Sequence, residues 1–304
     1  MPDFLWPIKW AVEFLLAIFH SALGYLGLKG DDGLTWVFSI VLMVVVVRAA
    51  LIPLFVRQIK SQRNMVLAQP ELAALQKRYK GKTDQESRQK MAQEQMEIYK
   101  RTGSNPLSSC LPLLVQMPIF TSLFFVLTNA QGGKAGVGLM DVALAESFQK
   151  ATFFGASLKD TFLGTESTEV KIMAAVMIVV MTATQFITQK QIISKNQNPA
   201  SAQSTQYMQT QKIMLWIFPI IFAISGISFP LGVMFYWLTS NFWTMGQQFV
   251  VIRSMPTEGS KAWHDRQARL LKKGKISLEA DETTEEETPR QRNQPVRKRN
   301  KKRK

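Results

Sequence analysis

Apolar residues in this chain do not alternate with polar ones; they gather into long blocks. Residues 34–56 carry a single charge, Arg48, and residues 107–133, 172–189 and 213–252 carry none. A soluble domain interleaves its charges, so runs of this length predict membrane-spanning helices. Five segments fit a hydrocarbon layer of ~30 Å: 34–56, 107–129, 172–189, 213–229 and 232–252. Only Pro230 and Leu231 separate the last two, which leaves room for a tight reversal alone. The expectation is an all-α integral membrane protein, and a soluble enzyme is excluded.

The polar stretches complete the layout. Residues 57–106 read as a helical hairpin, with Pro70 in the first arm and a turn at Gly81–Asp84. Its second arm has only a weak apolar stripe, so the pair is expected to project into solvent and to move. Residues 130–171 form a loop rich in Gly and Ser, and the stretch Gly132–Gly138 (GGKAGVG) reads as flexible. A short link, 190–212, precedes the fourth span. Within residues 1–33, Phe4–Gly27 has Lys9, Glu13 and His20 on one narrow stripe. That stripe suits a helix lying in the membrane interface, anchored by Trp6 and Trp10. The alternative is a sixth span, which would set three ionisable groups against lipid. No basic segment precedes the apolar run, so a cleavable signal peptide is not expected.

Charge sets the expected orientation. The 304 residues hold 37 Lys and Arg against 22 Asp and Glu. Residues 57–106 carry 11 basic against 5 acidic side chains, 190–212 carry 3 against 0, and 253–304 carry 16 against 8. On the other side, 130–169 carry 3 against 5, and 1–47 carry 2 against 4. Positive charge accumulates on the cytoplasmic side. Five spans with the N-terminus outside and the C-terminus inside satisfy every loop. Catalytic and metal chemistry find little material. One cysteine, Cys110, and two distant histidines, His20 and His264, cannot build a disulfide framework or an ordinary zinc site. No GxSxG, HExxH or GxxxxGK[ST] pattern occurs, so neither an enzyme nor a cofactor is expected.

Arg48 is the sharpest feature. It lies nine residues inside Arg57, within an apolar span. An arginine at the centre of a bilayer costs ~2.5 kcal/mol or more. It either snorkels to the inner leaflet or faces a wet cavity within the bundle. The cavity is favoured because Arg57 already marks the boundary and other spans contribute polar faces. Ser109 and Gln116 stack on the second span, and Thr182, Gln185 and Gln189 on the third. Tyr236, Ser240, Trp243 and Gln247 form a row on the fifth. Single polar residues often serve as glue between helices, at ~0.6 kcal/mol each. Several rows around one cation indicate a hydrated groove.

The run NPLSSCLPLLVQMPIFTSLFFVL (105–127) is very similar to the signature of the YidC/Oxa-type membrane protein insertases. VVVVRAALIPLFVRQIKSQRNMVLAQPELAALQKRY (44–79) resembles that family's first core span and hairpin, and FPLGVMFYWLTSNFWTMGQQ (229–248) its last two spans. The resemblance implies a five-helix insertase core, an interfacial helix before it, and a mobile cytoplasmic hairpin. It also implies a groove open to cytoplasm and lipid, with the family's groove arginine at Arg48. The substrate-groove set is then Arg48, Gln116, Gln185, Gln189, Tyr236 and Ser240. Three departures stand out. The large extracytoplasmic domain of many Gram-negative members has no counterpart here, as in short-form members. The N-terminal lipobox cysteine of many Gram-positive members is absent. Position 44 is Val where some members carry a hydroxyl residue.

The expected function is insertion and folding of membrane proteins, alone or with the Sec translocon, on nascent client chains and with no small-molecule substrate. Partition of the client helix into lipid drives such a process, so no nucleotide site is needed. The rival is a small-solute transporter or channel. It predicts internal repeats, which are not found, and usually a carboxylate within the spans, which none of the five contains. The tail 253–304 is expected to be basic and disordered. Its last stretch, RQRNQPVRKRNKKRK (290–304), suits ribosomal RNA or anionic lipid.

Overall fold

The computed structural model describes residues 4–103, 111–196 and 205–275. It is helical almost throughout, apart from a two-residue antiparallel pair, β1 (Thr152–Phe153) and β2 (Ala156–Ser157). Ten helices occur among the described residues. Four are long and apolar enough to cross a membrane: Trp6–Tyr25, Gly33–Ala50, Leu114–Gln131 and Thr168–Lys195. Leu215–Gly226 is a shorter apolar helix.

α1 (Trp6–Tyr25) carries Pro7 in its first turn, where the missing N–H costs nothing. It buries Val12, Glu13, Leu16, Ala17 and His20 against α2 and α5. Two members of the polar stripe therefore face protein. His20 Nε2 lies 2.7 Å from the Gly30 carbonyl. Glu13 and His20 thus meet polar partners rather than lipid, which leaves Lys9 as the one member of the stripe outside the buried face.

α2 (Gly33–Ala50) is capped by Asp32, which accepts from the Leu34 amide at 3.1 Å. Trp36, Ile40, Met43 and Val44 form its buried face, while Phe38, Val45 and Val46 are exposed. The expected span 34–56 is not one straight helix. It breaks at Leu51, and α3 (Ile52–Tyr79) follows. Pro53 has no N–H to give to the Ala49 carbonyl and so interrupts the ladder. The first hairpin arm thus grows directly out of the end of the span.

α3 runs back against α4 (Gln85–Arg101) through a turn in which Gly81 takes φ +85°. Asp84 caps α4 by accepting from the Ser87 amide at 2.8 Å, and that bond holds its carboxyl below the usual carboxylate value. The hairpin has more cohesion than its weak stripe suggested. Ala68, Leu72 and Leu75 are buried along α3, and the seam is flanked by ionic contacts. Arg78 meets Glu94 at 2.7 Å, Arg101 meets Glu71, and the Tyr79 hydroxyl donates to Glu94 at 2.7 Å.

α5 (Leu111–Gln131) packs on α1 and on α6 (Val142–Lys150), and only lightly on α9. α6 and the β1–β2 hairpin lie inside the stretch expected to be a plain loop. α7 (Thr168–Asn196) extends past both ends of the expected third span. α8 (Thr205–Gly226) packs on α7 and leaves Trp216, Ile217, Ile220, Ile221 and Ile224 exposed. α9 (Leu231–Ser254) lies between α2 and α7, with Leu231 to Tyr236 buried without a gap. α10 (Lys261–Lys272) occupies part of the stretch expected to be disordered. Its N-cap Ser260 is fully buried, and the helix packs on α7 and α9. The basic run 290–304 lies outside the described residues.

The main core is shared by α1, α2, α5, α6, α7 and α9. The hairpin leaves one end of it, called here the hairpin end. α6 covers the opposite end, the cap end. There Gly33 meets β1 so closely that a Cβ would stand 2.4 Å from the Thr152 carbonyl carbon, so only glycine fits.

Candidate functional site

Of the six residues expected to line a groove, four gather between α2, α5 and α9. Arg48 sits in the last turn of α2, half-buried, with its guanidinium 5.8 Å from the Phe55 ring centroid. Phe55 is placed there by the break at Leu51, which swings the start of α3 beneath the arginine. A guanidinium over an aromatic face gains electrostatic stabilisation, more so where water is sparse. Across from Arg48 stands Tyr236 of α9, only 3% exposed and within electrostatic reach of the guanidinium. Gln116 of α5 donates through Nε2 to the Tyr236 hydroxyl. Ser240 is buried one turn further along α9, beside the phenol.

Gln185 and Gln189 are not joined to this group. Both are half-buried on α7, and no hydrogen bond links either to Arg48, Gln116, Tyr236 or Ser240 among the described residues. The polar atoms that α7 does bury are Thr184 and Thr188, whose hydroxyls return to their own helix at 2.8 and 2.7 Å. On α9 the continuation of the row is internal too, with Trp243 Nε1 donating to Gln247 at 3.1 Å. Ser109 lies outside the described residues.

Sequence reasoning missed the aromatic wall beside the polar group. Phe120, one turn from Gln116, lies 6.1 Å from the Tyr236 ring, 5.3 Å from Trp237 and 5.8 Å from Phe229. Phe124 meets Phe229 at 5.7 Å. Phe120 thus joins α5 to Tyr236 and Trp237 of α9, and both phenylalanines meet Phe229 just before it. Only the i, i+4 spacing of Phe120 and Phe124 after Gln116 signals this wall, and an apolar span is full of such spacings. Among the described residues five buried side-chain atoms have no hydrogen-bond partner in the protein: Gln58 Oε1, Ser122 Oγ, Gln131 Nε2, Ser157 Oγ and, within the site, Ser240 Oγ. Buried groups in that state are satisfied by water. Among the described residues no three His, Cys, Asp or Glu side chains come together as a metal cluster would require.

The arrangement offers a cation, an amide and a phenol on the walls of an apolar bundle, and no nucleophile–base pair. A family model described as 60Kd inner membrane protein matches residues 28–258, which include all four gathered residues. The chain belongs to this family. It is 41% identical over 312 residues to a membrane protein insertase YidC of Tropheryma whipplei (strain Twist), covering 100% of this chain and 97% of that one. It is 45% identical over 265 residues to the Streptomyces avermitilis protein of the same name, covering 84% of this chain and 59% of that one. The Bifidobacterium longum relative is 35% identical over 320 residues, with 98% and 94% covered. The chain thus spans nearly all of two relatives and about three-fifths of the third. With its long apolar helices, this member of the 60Kd inner membrane protein family is a multi-pass protein of the bacterial inner membrane.

Proposed function

We propose that this protein inserts membrane helices through a hydrophilic groove walled by α2, α5 and α9. The supporting observation is the half-buried Arg48 held beside the Gln116–Tyr236 pair in an otherwise apolar bundle. A charge placed there earns its insertion cost only if something polar meets it. A client helix carries a short hydrophilic tail whose passage through lipid is the difficult step. Arg48 attracts acidic groups in that tail, and Gln116 and Tyr236 offer hydrogen bonds that replace water. The tail then crosses a shortened apolar distance, and the client helix leaves sideways into lipid. No covalent chemistry and no cofactor is involved.

The groove opens to the hairpin end, which faces the cytoplasm, and the N-terminus lies outside. The Sec translocon, the ribosome reached through residues 290–304, and anionic lipid are the proposed partners. Gln185 and Gln189 form a second polar surface that a client meets on α7.

A photo-crosslinking residue at position 116 tests the reading in a stalled ribosome–nascent chain carrying a single-span client. Capture of the client at 116 is expected, with little capture at the exposed position 154. Absence of capture at 116 with a client that still inserts would contradict it. The transporter reading instead predicts solute uptake with no client contact at 116.

A further inference from the structure

We infer that Glu13 is a positioning residue that clamps the α6 cap over the end of the bundle. Its carboxylate is 1% exposed. Oε1 accepts from the Val137 amide at 3.0 Å and Oε2 from the Gly138 amide at 2.6 Å. Two successive backbone amides on one carboxylate form a nest of the kind that binds anions. Here the anion is supplied by the chain itself, from 124 residues away.

Gly136 is required by the carboxylate, and Gly138 by the neighbouring Trp10 ring. A Cβ on Gly136 would stand 2.1 Å from Glu13 Oε1, and one on Gly138 would stand 2.9 Å from Trp10 Cδ1. The stretch Gly132–Gly138, expected to be flexible, is therefore moulded around α1. The Gly136 amide donates to the Met140 carbonyl at 2.7 Å, and Met140 is fully buried. Asp141, the next residue, caps α6 by accepting from the Leu144 amide at 2.8 Å. The clamp and the start of α6 are thus four residues apart along a bonded turn.

α6 in turn touches α2, α5 and the start of α9. Phe148 meets Trp36 of α2 edge-on at 5.1 Å and presses on Gly232 of α9, where a Cβ would stand 3.1 Å from its ring. Ser147 accepts from Trp36 Nε1 at 3.1 Å and donates to the Gly30 carbonyl at 2.6 Å. Gln149 donates to the Gln131 carbonyl at the end of α5 at 2.7 Å. α6 is a lid across α2, α5 and α9, and Glu13 of α1 fixes the stretch of chain that leads into it. The family model begins at residue 28, so this device lies partly outside what the family match covers. It does not rest on what passes through the groove.

Hydrogen–deuterium exchange on the full chain in nanodiscs tests the clamp without any client. Glu13→Gln removes one acceptor and turns an NH2 group toward an amide. Gly136→Ala breaks the same contact from the other side with Glu13 intact. Both are expected to speed exchange across residues 142–150 at least tenfold, with α3 and α4 unchanged, and Glu13→Asp is expected to fall between. In a Cys110→Ser background, a Ser122→Cys reporter should also become at least tenfold more reactive to a water-soluble maleimide. Acceleration confined to Val137 and Gly138 would overturn the proposal, because the cap would then be held without the clamp. Acceleration everywhere in both variants, α3 and α4 included, would overturn it as well, since Glu13 would then be a general support.

Discussion

Gln116 donates its side-chain amide to the hydroxyl of Tyr236, and this bond is the polar link between α5 and α9. The two helices otherwise touch lightly, through Phe120 and its aromatic neighbours. In the proposed groove this bond closes the wall at its polar point while leaving the helices able to part. Interhelical hydrogen bonds in membranes average about 0.6 kcal/mol, a strength suited to a wall that opens. Tyr236→Phe is expected to lower stability in detergent by about that amount and to leave the fold intact. A thermal-shift series read with Gln116→Ala and the double variant checks this. The double should cost less than the sum of the singles, by about the strength of the one bond that both remove.

Arg48 is predicted to oppose stability and to support function. Arg48→Ala removes a charge whose burial costs ~2.5 kcal/mol on insertion scales, so the melting temperature should hold or rise. Arg48→Lys keeps the charge but loses the planar face stacked on Phe55, and should retain at least half of the activity. Growth complementation alongside thermal unfolding separates the two effects. A destabilised Arg48→Ala would contradict this account of the site.

The hairpin is predicted to open first at its turn. Gly81–Asp84 is exposed, and the seam of Ala68, Leu72 and Leu75 lies further along the arms. Limited proteolysis of inside-out vesicles should cut within residues 80–84 before any other part of the hairpin. Asp84 adds a pH signature. Its carboxyl is held below the ordinary value by the Ser87 amide, so the cap is in place above that range and is lost as pH falls through the depressed value. Protection of the first turn of α4, relative to the intrinsic exchange rate at each pH, should therefore stay constant from neutral to mildly acidic pH and fall only below the usual carboxylate range. Asp84→Ala should show the lower protection at every pH.

Orientation is predicted by charge and tested by labelling. In a Cys110→Ser background, a cysteine at the exposed Ala135 should react with an impermeant maleimide from outside, and one at Asn198 only from inside. Labelling at position 2 reports on which side α1 begins. Sedimentation with ribosomes, full chain against a form ending at Lys275, tests the tail. Full-length protein should co-sediment, and the complex should dissolve steeply with salt. Equal sedimentation of both forms at low salt would remove residues 290–304 from the mechanism.

The long helices were legible because lipid tolerates so few charges. Runs such as 107–133 and 213–252 have no other common physical reading. Arg48 was legible for the same reason, as a violation of its surroundings. The break at Leu51 was written in Pro53, but a proline near the end of a span is equally compatible with a continuous kinked helix. The order within residues 130–171 was not legible. The Gly132–Gly138 stretch is held by a glutamate on another helix, and no local pattern records a partner so distant in sequence. α10 was hidden by its charge: Ser260 is an ordinary N-cap signal, but the basic composition after it reads as tail. Gln185 and Gln189 share a helical face with Thr182 in the sequence. Periodicity places residues on a face without saying which neighbour that face meets.

The most direct test of the groove is insertion by the purified protein alone. Liposomes containing the full chain are given a single-span client with an acidic N-terminal tail, and the membrane-protected fragment is measured against empty liposomes. Wild-type protein and Arg48→Lys should yield the protected fragment, and Arg48→Ala should reduce it at least fivefold, with a smaller loss for a client whose tail is neutral. Equal yields from wild type, Arg48→Ala and empty liposomes would contradict the account.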